Sequence, residues 1–436
     1  AKIRSSHSYL LGFVHAPFVA LLGNFIAFKI SSLIFLAFLV FSVYSITKRD
    51  PHALWLMLLS PIVWYMAPWI NPIQIASIFL LWAWHYMRKY HEENKFSSLI
   101  ISGILIGLGW AFWDTILYFG IILGICFLYD KKIWHGGVYL VCIIIGLSPR
   151  LILDQVLFNF AFFTTVKTFL SGFVNLFGGI YDKAYGHSPH TLTMLLPFLL
   201  AFPICFWTMF SASRFKEQRR TVIFLSLSLL LLLTNPQIRY ALALAPIIVV
   251  ITSPYLKGRE FKITLGISAV LTLLVTIPYL LQIGGTMNHQ LYGTEITGIL
   301  TQGIDLSERQ MVSDLQEDLV NISQEFPNET FLVGNGPDDY SVLAHFYEGK
   351  NVKEFVSLQD YNLIIQNQTI LYQKRFEPLP NIPERRQFWI EGGLEKSKND
   401  PTNYTSIKYG IGLGEPLKSE GFNIVKRYHL LYLSKK

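Results

Sequence analysis

Charge is what this chain has least of. Only 15% of its residues are Asp, Glu, Lys or Arg, against roughly 25% in an average soluble domain. With 52% hydrophobic residues and a mean hydropathy of +0.39, it reads as a polytopic membrane protein. Cysteine is nearly as scarce. Cys126, Cys142 and Cys205 lie inside apolar runs with no CxxC spacing, so neither a disulfide framework nor a zinc site is suggested. Acidic residues are outnumbered, leaving a formal charge of +7. Nucleic-acid binding is set aside, because basic residues in short cytoplasmic loops account for that excess.

Apolar runs, by contrast, are abundant. About 15 to 25 apolar residues suffice to cross a bilayer core as a helix. Runs of that kind fall at 29–47, 53–67, 73–87, 98–112, 114–129, 134–152, 191–212, 221–234, 240–256 and 263–283. A further apolar segment, 9–27, contains His15 and Pro17 and is expected to be interfacial. The expected architecture is an α-helical polytopic membrane domain over 1–285, with about ten transmembrane helices, followed by a small extracytoplasmic soluble α/β domain over 286–436.

Orientation follows from where Lys and Arg fall. Alternate loops hold Lys48 and Arg49; Arg88, Lys89 and Lys95; Lys131 and Lys132; Arg214, Lys216, Arg219 and Arg220; and Lys257, Arg259 and Lys262. The intervening loops hold only Arg150, Lys167, Lys183 and Arg239. The first set is therefore expected to be cytoplasmic. This places the loop 153–190, the loop 235–239 and everything after 283 outside, provided that 9–27 does not span.

From about residue 286 the composition becomes that of a soluble domain, and all four Asn-x-Ser/Thr sequons, at Asn321, Asn328, Asn367 and Asn403, fall in it. Ser307 starts an amphipathic helix with Met311, Leu315, Leu319 and Ile322 on one face. "TFLVG" reads as a strand, "PDDYSVLAHFYEG" as a helix, and "QTILYQKR" and "NIVKRYHLLYLS" as later strands. "YGIGLGEP" does not open a helix after a strand, so nucleotide binding is not expected there.

Arg239 and Tyr240 interrupt two greasy segments in "LLLLLTNPQIRYALALAP". A cation at the mouth of a membrane helix is costly unless it snorkels or meets an anion. Arg239 is thus either a snorkelling anchor, with Tyr240 in the aromatic belt, or a guanidinium fork gripping a phosphate at the membrane surface.

"NPQIRYALALAPIIVV" resembles the Arg-Tyr segment near the last membrane helices of the C-type superfold of membrane glycosyltransferases. The group it resembles includes dolichyl-phosphate-mannose protein mannosyltransferases and lipid A aminoarabinose transferases. "HAPFVALLGNFIAFKISSLIFLAFLVFSVYSI" is similar to that group's His-Pro-Pro stretch, which leads from the first outer loop into a membrane helix. "NPIQIASIFLLWAWHYMRKYHEENKFSSLIISGILIGLGWAF" resembles its next outer turn, a helix ending in basic residues and a glycine-rich helix. The resemblance covers most of residues 9–283.

The resemblance implies a mannosyltransferase-like enzyme. It would move a sugar from a polyprenyl-phosphate donor to a protein, lipid or glycan acceptor, with membrane lipids around it. The donor phosphodiester is already anionic, so its leaving group needs charge stabilisation more than protonation. The acceptor hydroxyl attacks the anomeric carbon while a carboxylate takes its proton. In the superfold that base lies in the first outer loop, which is expected upstream of Ala1. Where the group often has Asp, this chain has Asn71, which can hydrogen-bond but cannot act as a base. Arg239, Tyr240, His15, Asn71, Arg150 and Lys167 are the residues nominated for the donor phosphate and substrate.

Of the outward carboxylates, Asp114 in "WAFWDTILYFG" ranks first, since Trp110 and Trp113 suit a sugar face, although it could simply cap the following helix. Arg150 and Asp154 are spaced i,i+4, which favours an interfacial ion pair over a ligand role. Asp182 reads as solvated. The loop stretch "FNFAFFTTVKTFLSGFVNLFGGI" suits an amphipathic surface helix that either walls the donor groove or simply lies in the interface. No cofactor is firmly implied. His187 and His190 match a metal pair by spacing alone, without an acidic partner. The rival reading is a multi-pass transporter or lipid flippase with an extracytoplasmic domain, though no repeat is evident and the charges gather at span ends. A sensor anchored by its helices would not need so many spans.

Overall fold

The computed structural model describes residues 10–22, 24–67, 71–129, 132–158, 160–162, 164–165, 219–233 and 238–281, separate residues between 314 and 329, and 331–333, 355–357, 408–412 and 421–436. The expected span 191–212, the helix 337–349, the strand 368–375 and most of the loop 153–190, with Lys167, Asp182, His187 and His190, lie outside the described residues.

Proline and short polar side chains set the helix starts. Helix α1 (Leu10–Leu22) precedes α2 (Asn24–Ile46). Helices α3 (Pro51–Leu58), α4 (Pro61–Met66) and α5 (Pro72–Glu93) each open on proline, whose missing N–H would have had no helical partner there. Asp50 and Asn71 cap α3 and α5, their Oδ1 atoms accepting the N–H of His52 at 2.9 Å and of Ile73 at 3.0 Å. Asn94 ends α5 in the left-handed region at φ 52°. Helices α6 (Phe96–Phe112), α7 (Thr115–Tyr129) and α8 (Ile133–Phe158) follow. Then come α9 (Arg219–Leu233), a 3-10 turn (Ile238–Ala243), α10 (Ala245–Thr252), a second 3-10 turn (Ser253–Tyr255) and α11 (Gly258–Leu281).

Glycine sets how closely α6 and α8 approach. A Cβ on Gly107 would lie 2.0 Å from the Ile143 carbonyl oxygen, and one on Gly146 would lie 2.1 Å from that of Ile104. Only residues without a side chain allow two helix backbones to touch in this way. The contact brings the Pro149–Arg150 turn of α8 beside the C-terminal end of α6.

The outward faces are apolar. Leu140, Val141, Ile144, Ile145 and Ile152 of α8 are each more than half exposed, as are Phe38 and Phe41 of α2, and Ile263, Ile267, Val270 and Leu273 of α11 are close to half. Such stripes would aggregate in water, but they are the ordinary surface of a helix against lipid. The helical part is that of an integral membrane protein.

Two expected spans are not single helices. The run 53–67 breaks between α3 and α4, where Trp64 Nε1 donates to the Leu58 carbonyl at 2.7 Å and Thr272 Oγ1 to the Leu59 carbonyl at 2.8 Å. Protein donors thereby replace the helical partners lost at the break. The run 240–256 becomes two 3-10 turns flanking α10, all eight of whose residues are buried. Helix α8 continues to Phe158, past the expected boundary at 152, so Asp154 is helical rather than in a loop. Among the described residues one helix, Ile133–Val156, is long and apolar enough to cross a membrane, alongside five shorter apolar helices.

Among the described residues the C-terminal part contains a sheet of five strands in the order β2–β1–β3–β5–β4. Strands β1 (Phe331–Val333), β2 (Phe355–Ser357) and β3 (Tyr409–Gly412) run parallel, whereas β5 (Tyr432–Lys435) is antiparallel to β3 and to β4 (Asn423–Arg427). The "TFLVG" strand is β1. The stretch 423–434, expected as one strand, is a hairpin. Its turn is fixed by the buried Asp318 carboxylate, which accepts the N–H groups of His429, Leu430 and Leu431 at 3.0, 2.7 and 2.9 Å. Ile322, on the expected apolar helix face, is fully buried.

Candidate functional site

The glycine-mediated crossing and the α6–α7 turn together build a buried ionic cluster. Arg150 of α8 has no exposed side-chain surface, and its Nη1 donates to Asp114 Oδ1 at 2.6 Å and to the Trp110 carbonyl at 3.2 Å. Its Nε donates to Thr164 Oγ1 at 2.9 Å. Thr164 turns the cluster toward a second carboxylate. Its N–H donates to Asp154 Oδ2 at 2.9 Å, and its Oγ1 lies 2.9 and 2.7 Å from the two Asp154 oxygens.

Two expectations are corrected here. Arg150 does not pair directly with Asp154, four residues on; it pairs with Asp114 and reaches Asp154 only through the Thr164 hydroxyl. Nor does the Asp114 side chain cap α7, because its Oδ1 is committed to Arg150 and its Oδ2 has no hydrogen-bond partner among the described residues. Arg150 Nη2 is equally unpartnered and buried. Half-satisfied ionic groups in a low-dielectric interior are costly, so a site that keeps them invites an explanation.

The other nominated residues fall in different places. Tyr240 packs next to the cluster rather than in it, its ring centroid 5.3 Å from that of Trp113, the neighbour of Asp114. Arg239 is in the 3-10 turn Ile238–Ala243, and its side chain lies outside the described residues, as does Lys167. Asn71 caps α5. His15 is buried between α1 and α2, with Nδ1 2.6 Å from Ser31 Oγ. Next to it, Ser32 and Gln74 tie down the end of α4: Gln74 Nε2 donates to Ser32 Oγ and to the Met66 carbonyl, both at 2.7 Å, and Ser32 Oγ donates to the Ala67 carbonyl at 2.9 Å. No group of three metal-ligating side chains occurs among the described residues.

This arrangement of helices recurs in a solved protein. ArnT from Cupriavidus metallidurans bound to undecaprenyl phosphate superposes with a TM-score of 0.56 at 10% identity, over 98% of this chain and 87% of that one. The same protein in the apo state gives 0.52 at 9% identity over the same shares. The chain shares the fold of ArnT. The sequence resemblance to the group that includes aminoarabinose transferases is therefore met at the level of fold. No family model matches the chain, and no curated protein matches its sequence.

Within the ArnT fold, the stretches that carry the sequence resemblance meet each other. The 3-10 turn of "NPQIRYALALAP" packs on α4 and α5, and its Tyr240 touches the turn that ends the glycine-rich helix. At the opposite end of the bundle, Lys132 Nζ donates to Asn94 Oδ1 at 3.3 Å, the Tyr90 hydroxyl bonds His135 Nδ1, and His52 stacks edge-on against Phe261 at 4.2 Å. These contacts join the loops that the Lys and Arg pattern groups on one side of the membrane. Thr164 went unforeseen because no spacing rule links it to Arg150 or Asp154 before the chain folds back.

Proposed function

We propose that this chain is a membrane glycosyltransferase. It moves a sugar from a polyprenyl-phosphate-linked donor, with mannose the first sugar to try, to a protein, lipid or glycan acceptor on the outer face of the membrane. About ten helices cross the bilayer, the ionic cluster lies at the outer end and the C-terminal domain is extracytoplasmic. What carries the reading is one conjunction: a fold shared with a protein seen bound to undecaprenyl phosphate, with a buried, incompletely satisfied Arg150–Asp114 pair at one end of its bundle. Ionisable groups buried within a membrane protein are retained for function.

In this reading Arg239 meets the donor phosphate at the membrane surface and stabilises the departing polyprenyl phosphate, a monoester. Asp114, with one oxygen held by Arg150, holds substrate rather than taking a proton. Tyr240 and Trp113 supply aromatic surface beside it, while His15 and Asn71 fix the neighbouring helices. Lys167 adds positive charge near lipid phosphate. The test is transfer of labelled mannose from undecaprenyl-phosphate-mannose in proteoliposomes. Arg239→Leu is expected to lower transfer by about 100-fold or more without changing the thermal unfolding midpoint. Unchanged transfer would return Arg239 to the role of a snorkelling anchor.

One observation favours a transporter or flippase as the second reading. The α3–α4 break and the segmented stretch around α10 are interrupted helices of the kind that line transport sites. Movement of the labelled lipid between leaflets with no transfer in any acceptor mixture would select it.

A further inference from the structure

The valences that the ionic cluster leaves open define a ligand. Arg150 is held by three separate pieces of chain: the Trp110 carbonyl, the Asp114 carboxylate and the Thr164 hydroxyl. Its guanidinium therefore cannot swing into the bidentate arrangement that would satisfy Nη2 and Asp114 Oδ2 against each other. What remains without a partner among the described residues is a donor, Nη2, and an acceptor, Oδ2, each bonded to the carbon that also carries an atom of the 2.6 Å contact. Asp114 keeps 14% of its side chain exposed and Arg150 none, while Oδ2 and Nη2 are themselves buried, so a ligand reaches them past the Asp114 side chain.

Charge decides what can fit. The Arg150 cation is already matched by Asp114, and a second carboxylate, Asp154, stands one hydroxyl away. A phosphate would satisfy Nη2 but face Oδ2 with like charge and nothing to donate. An ammonium would satisfy Oδ2 but face the guanidinium and offer it no lone pair. Two adjacent hydroxyls meet both demands, one donating to Oδ2 and the other accepting from Nη2. Such a diol, next along the chain to Trp113 and its partner Tyr240, is the signature of a saccharide.

We infer that Arg150 and Asp114 form a hydroxyl-recognising subsite for the sugar of the donor, and that Arg150 takes no part in gripping the lipid phosphate. This rests on the glycosyltransferase reading and assigns the sugar and the phosphate to different residues. The test compares dissociation constants, in detergent micelles, of undecaprenyl phosphate and of undecaprenyl phosphate carrying mannose or glucose. The intact chain is expected to bind at least one sugar-bearing lipid roughly tenfold or more tightly than the bare lipid, the gain from one charge-assisted hydrogen-bond pair. Asp114→Asn puts an amide donor where an acceptor is needed and should bring that ratio close to one. Should this variant not fold, monodeoxy donors on the intact chain decide, since loss of one hydroxyl of the recognised diol must also remove the gain.

If neither lipid binds, the glycosyltransferase reading itself falls. If the bare lipid binds and neither sugar adds affinity, or if the ratio survives Asp114→Asn, that reading stands and the subsite is overturned, the open valences being met by a bridging water only.

Discussion

The two ends of the helical bundle treat charge in opposite ways. At the end formed by Tyr90, Asn94 and Lys132, the ionic contacts are local and solvent-facing: Arg88 meets Glu92 one turn on, and Lys95 meets Glu93, both at 2.6 Å with partners more than a third exposed. At the other end a single arginine, wholly buried, gathers groups from α6, the α6–α7 turn and the chain beyond α8. Exposed pairs between near neighbours in the chain contribute little and serve solvation. A buried cation drawn from distant segments, with valences left over, has no such explanation.

Removing the charge at each end tests this difference most directly. Arg150→Leu strands Asp114 and Thr164-bound Asp154 without a cation and is expected to cost about 3–5 kcal/mol. Arg88→Ala should cost less than about 0.5 kcal/mol. Chemical unfolding of both variants in detergent measures the contrast. Comparable losses would mean that the two ends are energetically alike.

The next effect comes from the crossing that assembles the buried end. Gly107→Ala would place a methyl carbon 2.0 Å from the Ile143 carbonyl oxygen, so α6 and α8 must separate. Overpacking of this kind costs about 1–3 kcal/mol, and it also draws the Trp110 carbonyl and Asp114 away from Arg150. Gly137→Ala is the control on the same helix pair, since a Cβ there meets nothing within 4 Å. Equal stability of the two variants would show that the close crossing is not what positions the cluster.

The sequence made the parts of this site visible, but not how they are joined. Asp114 and Arg150 could be picked out because charged residues are rare beside long apolar runs, so each one invites a reason. Their pairing could not, because it depends on a crossing set by Gly107 and Gly146, and the i,i+4 rule pointed instead to Asp154. Among the described residues most helix positions followed from hydrophobic length, whereas the breaks at Leu59–Ser60 and around α10 did not. Fully buried helix segments and lipid-facing ones have the same composition, and only tertiary packing separates them. In the C-terminal part, alternation located β1 but merged β4 and β5, since the turn at His429–Leu430 is held by Asp318 from over a hundred residues away rather than by glycine or proline.

Asn71 offers a smaller test, close to the buried end. As the cap of α5 it is expected to contribute about 1 kcal/mol, lost in Asn71→Ala. Asn71→Asp should retain the cap, since a carboxylate accepts the same Ile73 N–H. If Asn71 only caps, sugar transfer in proteoliposomes follows stability and stays within several-fold in both variants. A collapse of transfer in Asn71→Ala at unchanged stability would move this residue into the substrate site and extend the buried cluster to α5.

The smallest effect concerns an exposed pair in the C-terminal part of the chain, which by the same logic resembles the solvent-facing end of the bundle. Glu325 accepts hydrogen bonds from Lys426 and, at 2.7 Å, from the Tyr428 hydroxyl. These bonds, Lys426 first, hold its carboxyl below the ordinary range. A depressed carboxylate stabilises the fold above its unfolded value, about 4.3, and that contribution disappears as the pH falls through the folded value. The unfolding midpoint of the intact chain minus that of Glu325→Gln should therefore be small and flat from about pH 8 to pH 5, and shrink only below about pH 4. Added salt at about 1 M should diminish it further, because an exposed pair is screened over a few ångströms. A difference that changed between pH 6 and 8 would require a partner other than Lys426 and Tyr428, and would place this contact with the buried cluster rather than with the surface pairs.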